Sequence, residues 1–374
     1  MGRFGRRQAL FVWIVCCVAP YGPPAADILY ISEGNNLRRL DLDRPAGPQA
    51  GEIFIKRASR GEDKGTDPSR PERRDINGMV CFLPDGSGRF VAGEDTGQPD
   101  TPPGWGLFSG SGEQVGKLTA SYRVPLGDPH GCAFDPQGRL FTSEVGNVGF
   151  GSPRGQLILW FPPFDNFPGP PGAYPDTDER SSNFCKIAVD IGTAGGVAVD
   201  GDGRVYVASA GRGAIHRFSP PFPTAATSEG GCGERDDTGA PMADDVHREI
   251  FYRGLYTFSG LAFSERGSLY ASSVFTGEII ELDLTGRVLR KILDPAGFLP
   301  PFEDGNPMGL TIDSAGNLYY ADLDLVWNFP SIGPGPNGKV RRISFDRDGE
   351  PLPPEILLEG LAFPDALGVD TRRR

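Results

Sequence analysis

Short runs of alternating hydrophobic and polar residues occupy most of the chain, and turn residues separate them. One unit of this pattern reads PHGCAFDPQGRLFTSE, from Pro129 to Glu144. The alternation predicts two strands, Gly131 to Phe134 and Leu140 to Ser143. Between them stands Asp-Pro-Gln-Gly, in which proline presets one corner of a tight turn and glycine accepts the positive φ of the other. The unit is therefore a β-hairpin.

Four further copies of this hairpin follow the same pattern. They are GMVCFLPDGSGRFVAGED from Gly78, GGVAVDGDGRVYVAS from Gly195, GLAFSERGSLYASS from Gly260 and GLTIDSAGNLYYAD from Gly309. The first-strand glycines, at 78, 131, 196, 260 and 309, are 49 to 65 residues apart. Two more strand-like runs follow the hairpins, as in residues 278–282 and 288–292. Units of this length with four short strands are typical of the blades of a β-propeller.

The two ends of the chain supply one more blade. The segment PDALGVD, from Pro364 to Asp370, matches the first strand of the repeat, and residues 28–43 and 52–58 match the other three. A blade built from both termini leaves no open sheet edge. We therefore predict an all-β fold, a six-bladed β-propeller with four-stranded antiparallel blades, as a single domain over residues 27–374. Blades 1 to 5 begin at the five hairpins, and blade 6 combines the termini.

Residues 1–26 have the pattern of a secretory signal peptide. Three arginines, Arg3, Arg6 and Arg7, precede an apolar run from Ala9 to Ala19. That run is too short to cross a membrane, and no second apolar stretch follows it. We predict a secreted or periplasmic protein without a membrane span; a retained anchor is the alternative.

The charge of the chain restricts its partners. The formal net charge is −12, and removal of residues 1–26, which hold three arginines and no acid, makes it −15. Such a surface repels phosphate backbones, so we expect no nucleic-acid partner. Divalent cations are favoured, and we expect a monomer.

Four cysteines remain after residue 26, at 81, 132, 185 and 232. An even number in an exported chain allows two disulfides. Cys185 and Cys232 lie on neighbouring blades near the same face, and we favour a bond between them. Cys81 and Cys132 lie on neighbouring inner strands; they either pair or remain two buried thiols.

Two positions of each repeat should surround one end of the central channel, here called the top. In blades 1 to 6 the residue before the inner strand is Asn77, His130, Gly195, Ser259, Met308 and Asp365. The residue that ends the second strand is Glu94, Glu144, Ser209, Ser273, Asp322 and Glu33. The carboxylates thus concentrate in blades 5, 6, 1 and 2, which are consecutive around the ring.

Clustered carboxylates repel each other, and a hard cation with six to eight oxygen ligands would offset that repulsion. We predict a Ca²⁺ site at the top of the channel. Its predicted ligands are Glu33, Asn77, Glu94, Glu144, Asp322 and Asp365. The alternative is that these carboxylates point sideways and form hydrogen bonds between blades.

His130 is one of three histidines in the chain. At the rim beside Asp128 and Glu144 it could act as a general base on water, and we predict His130 and Asp365 as catalytic residues. The alternative is a rim histidine bonded to a neighbouring blade. His216 and His247 fall away from the channel, so we expect them to be structural.

The repeat G-[LVC]-A-[FVI]-D-x-x-G-x-[LV]-[YF] resembles NHL repeats and the SMP-30/gluconolactonase-like superfamily of six-bladed propellers. The resemblance covers residues 27–370 and implies a catalytic Ca²⁺ held at the top of the channel by Glu, Asn and Asp. Asn77-Gly78 and Pro364-Asp365 are similar to its ligand positions. The Glu-Gly-Pro-x-Trp motif of gluconolactonases and the second histidine of paraoxonase-like enzymes are missing.

Two functions follow from these observations. The first is an exported, Ca²⁺-dependent hydrolase of a lactone or related ester, a small-molecule substrate at the top face. The metal would polarise the carbonyl, and His130 or a carboxylate would activate water. The second is a non-catalytic NHL-type propeller that binds a protein or carbohydrate on that face. A third option is a quinoprotein sugar dehydrogenase. The sequence shows no cofactor-binding cluster of Arg, Lys and His that would favour it.

Overall fold

The structure of the protein is a computed structural model. It describes residues 27–34, 36–43, 51–56, 75–95, 104–118, 129–145, 155–164, 183–233, 242–243, 245–254, 257–294, 303–328 and 331–371. The predicted signal peptide, residues 1–26, lies outside these ranges.

The regular elements of the described ranges are strands and one 3₁₀ turn, Ala210–Arg212. In chain order the strands are β1 Ile28–Glu33, β2 Asn36–Asp41, β3 Glu52–Ile55, β4 Asp75–Phe82, β5 Phe90–Asp95, β6 Gly104–Phe108, β7 Gln114–Leu118, β8 Pro129–Phe134, β9 Leu140–Glu144, β10 Gln156–Trp160, β11 Phe184–Ala188, β12 Ala194–Val199 and β13 Val205–Ser209. They continue with β14 Ala214–Ser219, β15 His247–Arg253, β16 Phe258–Phe263, β17 Leu269–Ser273, β18 Glu278–Leu282, β19 Val288–Leu293, β20 Pro307–Ile312, β21 Leu318–Asp322, β22 Leu325–Asn328, β23 Ser331–Pro334, β24 Gly338–Ile343, β25 Glu355–Leu361 and β26 Pro364–Asp370.

These strands form six four-stranded antiparallel sheets, so the predicted six-bladed propeller is confirmed. Their orders are β4-β5-β6-β7, β8-β9-β10-β11, β12-β13-β14-β15, β16-β17-β18-β19, β20-β21-β24-β25 and β26-β1-β2-β3. The last sheet joins the C-terminal strand to the N-terminal strands, as expected from the two half-repeats. An additional hairpin, β22-β23, lies in the connection from β21 to β24 in blade 5. The sequence pattern did not predict this hairpin.

In blades 2, 3 and 5 an aspartate side chain closes the turn of the inner hairpin. In blade 2, Asp135 Oδ1 accepts hydrogen bonds from the backbone N–H of Gln137 and Arg139 at 3.0 and 2.9 Å. Gly138 has φ +75°, as the turn requires. Asp200 in blade 3 and Asp313 in blade 5 make the same pair of bonds. The Asp-x-x-Gly turn of the repeat is therefore a structural motif.

The repeat glycines are needed because neighbouring inner strands approach each other closely. A Cβ atom at Gly131 would lie 2.5 Å from the carbonyl oxygen of Gly195 on the next blade. At Gly196 it would lie 2.7 Å from that of Ser259. The glycines at 78, 260 and 309 also face the backbone of the following blade. The inner strands contact one another in a closed ring around the channel.

The hydrophobic core is divided among the interfaces between blades. Between blades 1 and 2 it includes the fully buried Trp105 and Trp160. Corresponding clusters lie between each other pair of neighbouring blades. Because each sheet buries its faces on its neighbours, closure of the ring completes the core.

Two disulfides link parts of the chain that are distant in sequence. Cys81–Cys132 links the inner strands of blades 1 and 2, and Cys185–Cys232 links β11 to the connection that follows β14. The favoured Cys185–Cys232 bond is confirmed, and the open alternative for Cys81 and Cys132 is decided for the disulfide. No helix in the described part of the chain has the length and hydrophobicity needed to cross a membrane.

Candidate functional site

The top of each inner strand carries a β-bulge. In blade 2, Pro129 pairs with Glu144 and Cys132 pairs with Thr142, so His130 and Gly131 lie in the bulge. Register shifts occur at the corresponding place in the other five blades. Bulges reorient side chains and are frequent beside active sites. The residues predicted to surround the channel top therefore lie where the strand departs from regular pairing.

Serine side chains fix these bulges in three blades. Ser143 Oγ accepts a hydrogen bond from the backbone N–H of Gly131 at 2.9 Å and donates one to the carbonyl of Gly195. Ser272 Oγ likewise accepts from Gly260 N–H at 2.9 Å and donates to the Met308 carbonyl at 2.8 Å. Ser32 bonds both backbone groups of Ala366, at 3.0 and 3.1 Å. These bonds hold the rim backbone at fixed positions, and in blades 2 and 4 they connect it to the next blade.

The structure brings the predicted catalytic residues His130 and Asp365 together. The distance from His130 Nε2 to Asp365 Oδ1 is 3.7 Å, and the two side chains are 9% and 5% exposed. His130 belongs to blade 2 and Asp365 to blade 6, so the pair spans the inner strand of blade 1. Gly78 on that strand makes room, because a Cβ atom there would lie 2.7 Å from the carbonyl oxygen of Pro129.

His130 retains an unused polar atom. Its Nδ1 is buried and makes no hydrogen bond with any described residue. Buried imidazole nitrogens are normally hydrogen-bonded, so an orphaned one beside a carboxylate is unusual. The rim histidine is thus buried against Asp365, and its Nδ1 has no partner in the described part of the chain.

Glu144 and Glu94 are fully buried and have protein partners. Trp105 Nε1 donates a hydrogen bond of 3.1 Å to Glu144 Oε1 from the neighbouring blade. Gln114 Nε2 lies 3.2 and 3.3 Å from the two carboxylate oxygens of Glu94. Since Gln114 is on the outer strand β7, the Glu94 side chain extends across its own blade, away from the channel.

Glu33 and Asp322 are paired with arginines. Arg38 Nε donates to Glu33 Oε2, and the backbone N–H of Ala362 donates to its other oxygen at 3.2 Å. Arg341 Nε donates to Asp322 Oδ2 at 3.0 Å. Two backbone N–H groups, of Asn306 and Asp324, complete the Asp322 contacts at 2.8 and 3.0 Å. Both carboxylates are neutralised by the protein itself.

The predicted calcium ligands therefore do not fit a single calcium site. Glu33, Glu94 and Asp322 are engaged by other side chains, and the side chain of Asn77 lies outside the described part. Among the described residues no group of three or more His, Cys, Asp or Glu side chains converges as metal ligands would. Calcium stays a prediction, and no step proposed below passes through it.

Blade 4 holds a carboxylate that the sequence interpretation missed. Glu278 begins β18 at the top face, is 4% exposed, and lies 3.4 Å from Lys291 Nζ. Burial raises the pKa of its carboxyl group, and Lys291 opposes that shift. The sequence signal was a glutamate at the first position of the otherwise apolar strand EIIEL. It was overlooked because the ring was defined from the two inner strands only.

No protein-family model and no curated protein sequence matches the chain. A crystal structure of a nidogen/laminin complex contains a chain that is 14% identical, with 92% of this chain and 98% of that chain covered and a TM-score of 0.54. A protein of unknown function from Bacteroides caccae is 9% identical, with coverage of 92% and 99% and a TM-score of 0.53.

A third similar structure is the calcium-binding protein regucalcin from Agrobacterium tumefaciens. It is 11% identical, with 83% of this chain and 82% of that chain covered and a TM-score of 0.49. The two structures with TM-scores above 0.5, the chain of the nidogen/laminin complex and the Bacteroides caccae protein, share the fold of this chain. At these identities the likeness establishes the fold alone.

Proposed function

We propose that the protein is an exported hydrolase that cleaves a lactone or related ester at the top of its channel. One observation carries the proposal: the buried His130 lies 3.7 Å from Asp365 and keeps Nδ1 without a hydrogen-bond partner among the described residues. A carboxylate beside one imidazole nitrogen and a free position at the other is the arrangement that a general base requires.

In this mechanism Asp365 sets the tautomer of His130. The carboxylate favours the proton on Nε2, which leaves the Nδ1 lone pair to accept a proton from water. The distance of 3.7 Å is longer than a hydrogen bond, and catalytic contacts commonly shorten when substrate binds. Asp365 then stabilises the imidazolium ion that forms.

The proton that the water loses returns to the leaving group, so the hydrolysis needs no further reactant. The water oxygen bonds to the carbonyl carbon while its proton passes to His130 Nδ1. The carbon–oxygen bond of the ester or lactone then breaks, and the leaving oxygen takes the proton back from Nδ1. The products are a carboxylic acid and an alcohol, joined in one molecule when the substrate is a lactone.

Export is the second part of this proposal. It is supported by the two disulfides, because such bonds persist in oxidising compartments. The predicted signal peptide over residues 1–26 agrees with this location. Mass spectrometry of protein secreted by its native host would test it, with Asp27 expected as the first residue.

The activity is tested with a panel of lactones and aryl esters. We expect His130→Gln and Asp365→Asn to lower kcat/KM at least about 100-fold, the range for loss of a general base. The matched control is His216→Gln, which removes another buried histidine far from the channel and should retain activity within about twofold. Equal activity in His130→Gln and wild type would overturn the mechanism.

Absence of any hydrolysis would instead favour the binding alternative. The folded wild type would then be screened against glycan arrays and extracellular proteins, and a ligand lost in Asp365→Arg would still place function at the channel top. Retained binding in that variant would move it elsewhere.

Calcium is tested separately by thermal melting. Three predicted ligands already have protein partners, so we expect calcium-loaded and EDTA-treated protein to have the same Tm. A bound calcium ion would raise Tm with concentration. If such a rise disappears in Asp365→Asn and persists in Glu33→Gln, calcium lies beside His130.

A further inference from the structure

A cavity of about 320 Å³ lies between the bottom turns of blades 3 and 4, and we call it the bottom cavity. Its walls are the ends of β12 and β16, the turns that follow these strands, and Leu284 in the turn after β18. It lies at the opposite end of the inner strands from the rim that carries His130 and Asp365. The volume is at the lower end of the range for small-molecule sites.

The bottom cavity exists because a glycine replaces a proline in the turn of blade 3. Blade 2 has Pro136 at the position where blade 3 has Gly201. The ring of Pro136 lies against the turn of the next blade, since a Cβ atom at Gly203 would be 3.9 Å from Pro136 Cδ. At the corresponding Gly267 of blade 4 a Cβ atom would meet no described atom within 4 Å, and the same holds at Gly201. The space that a proline ring fills between blades 2 and 3 is thus open between blades 3 and 4.

One side of the bottom cavity is apolar. Val199 and Phe263, the last residues of β12 and β16, are half-buried, and Leu284 is 39% exposed. The ring of Phe263 packs edge-on against the ring of Tyr206, with 5.2 Å between the ring centroids. The hydroxyl of Tyr206 donates a hydrogen bond of 3.0 Å to Asp200 Oδ2. The aromatic wall is therefore held in place by the same turn that bounds the cavity.

The other side of the bottom cavity is acidic. Asp200, Asp202 and Glu265 line it. Arg204 is the cation between the first two, with Nη1 at 3.1 Å from Asp200 Oδ2 and at 2.8 Å from Asp202 Oδ2. Glu265 is exposed and forms no ion pair with any described residue. Three carboxylates face one guanidinium group, which leaves an excess of two negative charges.

The next arginines do not cancel this excess. Arg217 donates a hydrogen bond of 2.9 Å to the carbonyl of Leu284, and its charge is paired with Glu249 at 2.6 Å. Arg266 reaches towards blade 5, where a Cβ atom at Gly349 would lie 3.1 Å from its Nη1. The bottom cavity therefore combines an apolar wall with uncompensated negative charge.

We propose that the bottom cavity binds a small organic cation, an ammonium group on an apolar body. Glu265 and Asp202 attract the ammonium group, and the ring of Phe263 favours a cation over its face. Val199 and Leu284 remove the apolar body from water. A divalent metal ion needs several oxygen ligands at one point, and no three His, Cys, Asp or Glu side chains of the described residues converge in that way. The site is independent of the proposed hydrolase site, which lies at the other end of the channel.

The test uses three small molecules that share a phenylethyl body and differ in charge. They are phenethylamine, phenethyl alcohol and hydrocinnamate, and their proton NMR signals are followed during titration with the intact protein at constant ionic strength. We expect saturable binding of the amine and at least about tenfold weaker binding of the alcohol and the carboxylate. Equal binding of the alcohol would overturn the proposal, as would displacement of the amine by an equal concentration of Ca²⁺.

Gly201→Pro fills the bottom cavity with the ring that blade 2 carries. The φ of Gly201 is outside the left-handed region, and its N–H donates no hydrogen bond within the described part of the chain, so proline is compatible with the turn. We expect at least about tenfold weaker binding of phenethylamine and an equal or higher Tm. An unchanged affinity in a variant with an equal or higher Tm would overturn the proposal.

A second variant tests the charge without filling the space. Asp202→Asn/Glu265→Gln should weaken amine binding at least about fivefold. Its matched control is Asp348→Asn/Glu350→Gln, which removes two exposed acids from the bottom turn of blade 5 and should change the affinity less than about twofold. Equal effects of the two double variants would mean that the net charge of the protein attracts the amine, and the proposal would be overturned.

Discussion

The two buried histidines of this propeller have opposite electrostatic surroundings. His130 at the channel top faces the carboxylate of Asp365, with further carboxylates on the same rim. His216 in blade 3 faces Arg248, with Arg212 and Arg253 behind it. Residue type and burial are nearly the same, and the neighbouring charges differ. Function at each histidine therefore has to be inferred from its neighbours.

The difference extends to how the protein balances charge. At the channel top, Glu33 and Asp322 are each neutralised by an arginine of the same blade, and Glu94 and Glu144 are hydrogen-bonded. Beside His216, Arg248 donates to the backbone carbonyls of Val189 and Asp190, and the Asp190 carboxylate also acts on it. The rim carboxylates are thus satisfied by side chains and backbone N–H groups, whereas the arginine beside His216 is held mainly by backbone carbonyls.

The largest expected effect is the loss of stability when a buried rim carboxylate loses its arginine partner. Arg341→Leu leaves Asp322, which is 1% exposed, without its cationic partner. Such a loss costs about 3–5 kcal/mol, since a buried charge stays uncompensated. Urea denaturation at pH 7 measures it.

The neighbouring arginine on the same strand provides the control. Arg342→Leu removes an ion pair with Glu355, whose side chain is 53% exposed, and should cost less than about 1 kcal/mol. Equal losses in the two variants would show that Arg341 contributes through its aliphatic stem rather than through its charge.

The second effect concerns the stability of the protein in acid. The folded-state pKa of His216, about 4, is below its unfolded value of 6.5, so the unfolded state binds the proton first as pH falls. Stability is therefore unaffected above pH 6.5 and is lost between 6.5 and 4. Between pH 7 and 4.5 the His216 contribution to this loss is about 2 kcal/mol. Arg248, Arg212 and Arg253 are the charged groups that act on His216, and Asp190 acts on Arg248.

Replacement of His216 should remove that part of the pH dependence. In urea denaturation at pH 7 and 4.5, His216→Gln should lose about 2 kcal/mol less stability than the wild type over this interval. His247→Gln removes an exposed histidine from the same blade and should follow the wild-type curve. If His216→Gln also follows that curve, the imidazole is protonated in the folded protein and the arginines lie farther from it than in the structure.

The fold was predictable because its information is local. Alternation with period two, Asp-x-x-Gly turns and the repeat glycines each have one structural reading, and their spacing fixes the number of blades. Hairpin β22-β23 was missed because its strands lie in a segment rich in glycine and proline, which reads as a loop.

Only the rim positions of the candidate site were predictable. The bulges put His130 and Asp365 where the repeat pattern expected them. The partners of the rim carboxylates Glu144, Glu33 and Asp322 were not predictable. These partners are Trp105, Arg38 and Arg341, and they belong to strands whose register relative to the rim is set by packing between strands and blades. The arginines around His216 could not be predicted for the same reason. Arg212 is 36 residues from Arg248 in the sequence, and only the pairing of β14 with β15 brings them together.

The smallest expected effect is the change in the pKa of His216 when a neighbouring arginine is replaced. Arg212→Gln removes one exposed charge near His216, so the pKa of His216 should rise, while burial, the larger cause of the low value, remains. Arg253→Gln should act in the same direction and more weakly, because its charge is the weakest of the three arginine charges that lower this pKa. The imidazole signal of His216, followed by NMR from pH 3 to 7, measures both. The His130 signal is the internal control and should not respond, because His130 lies on the inner strand of blade 2 and faces Asp365. A matching response at both histidines would mean that the variants change the overall field of the protein, and the two regions would then be electrostatically coupled rather than separate.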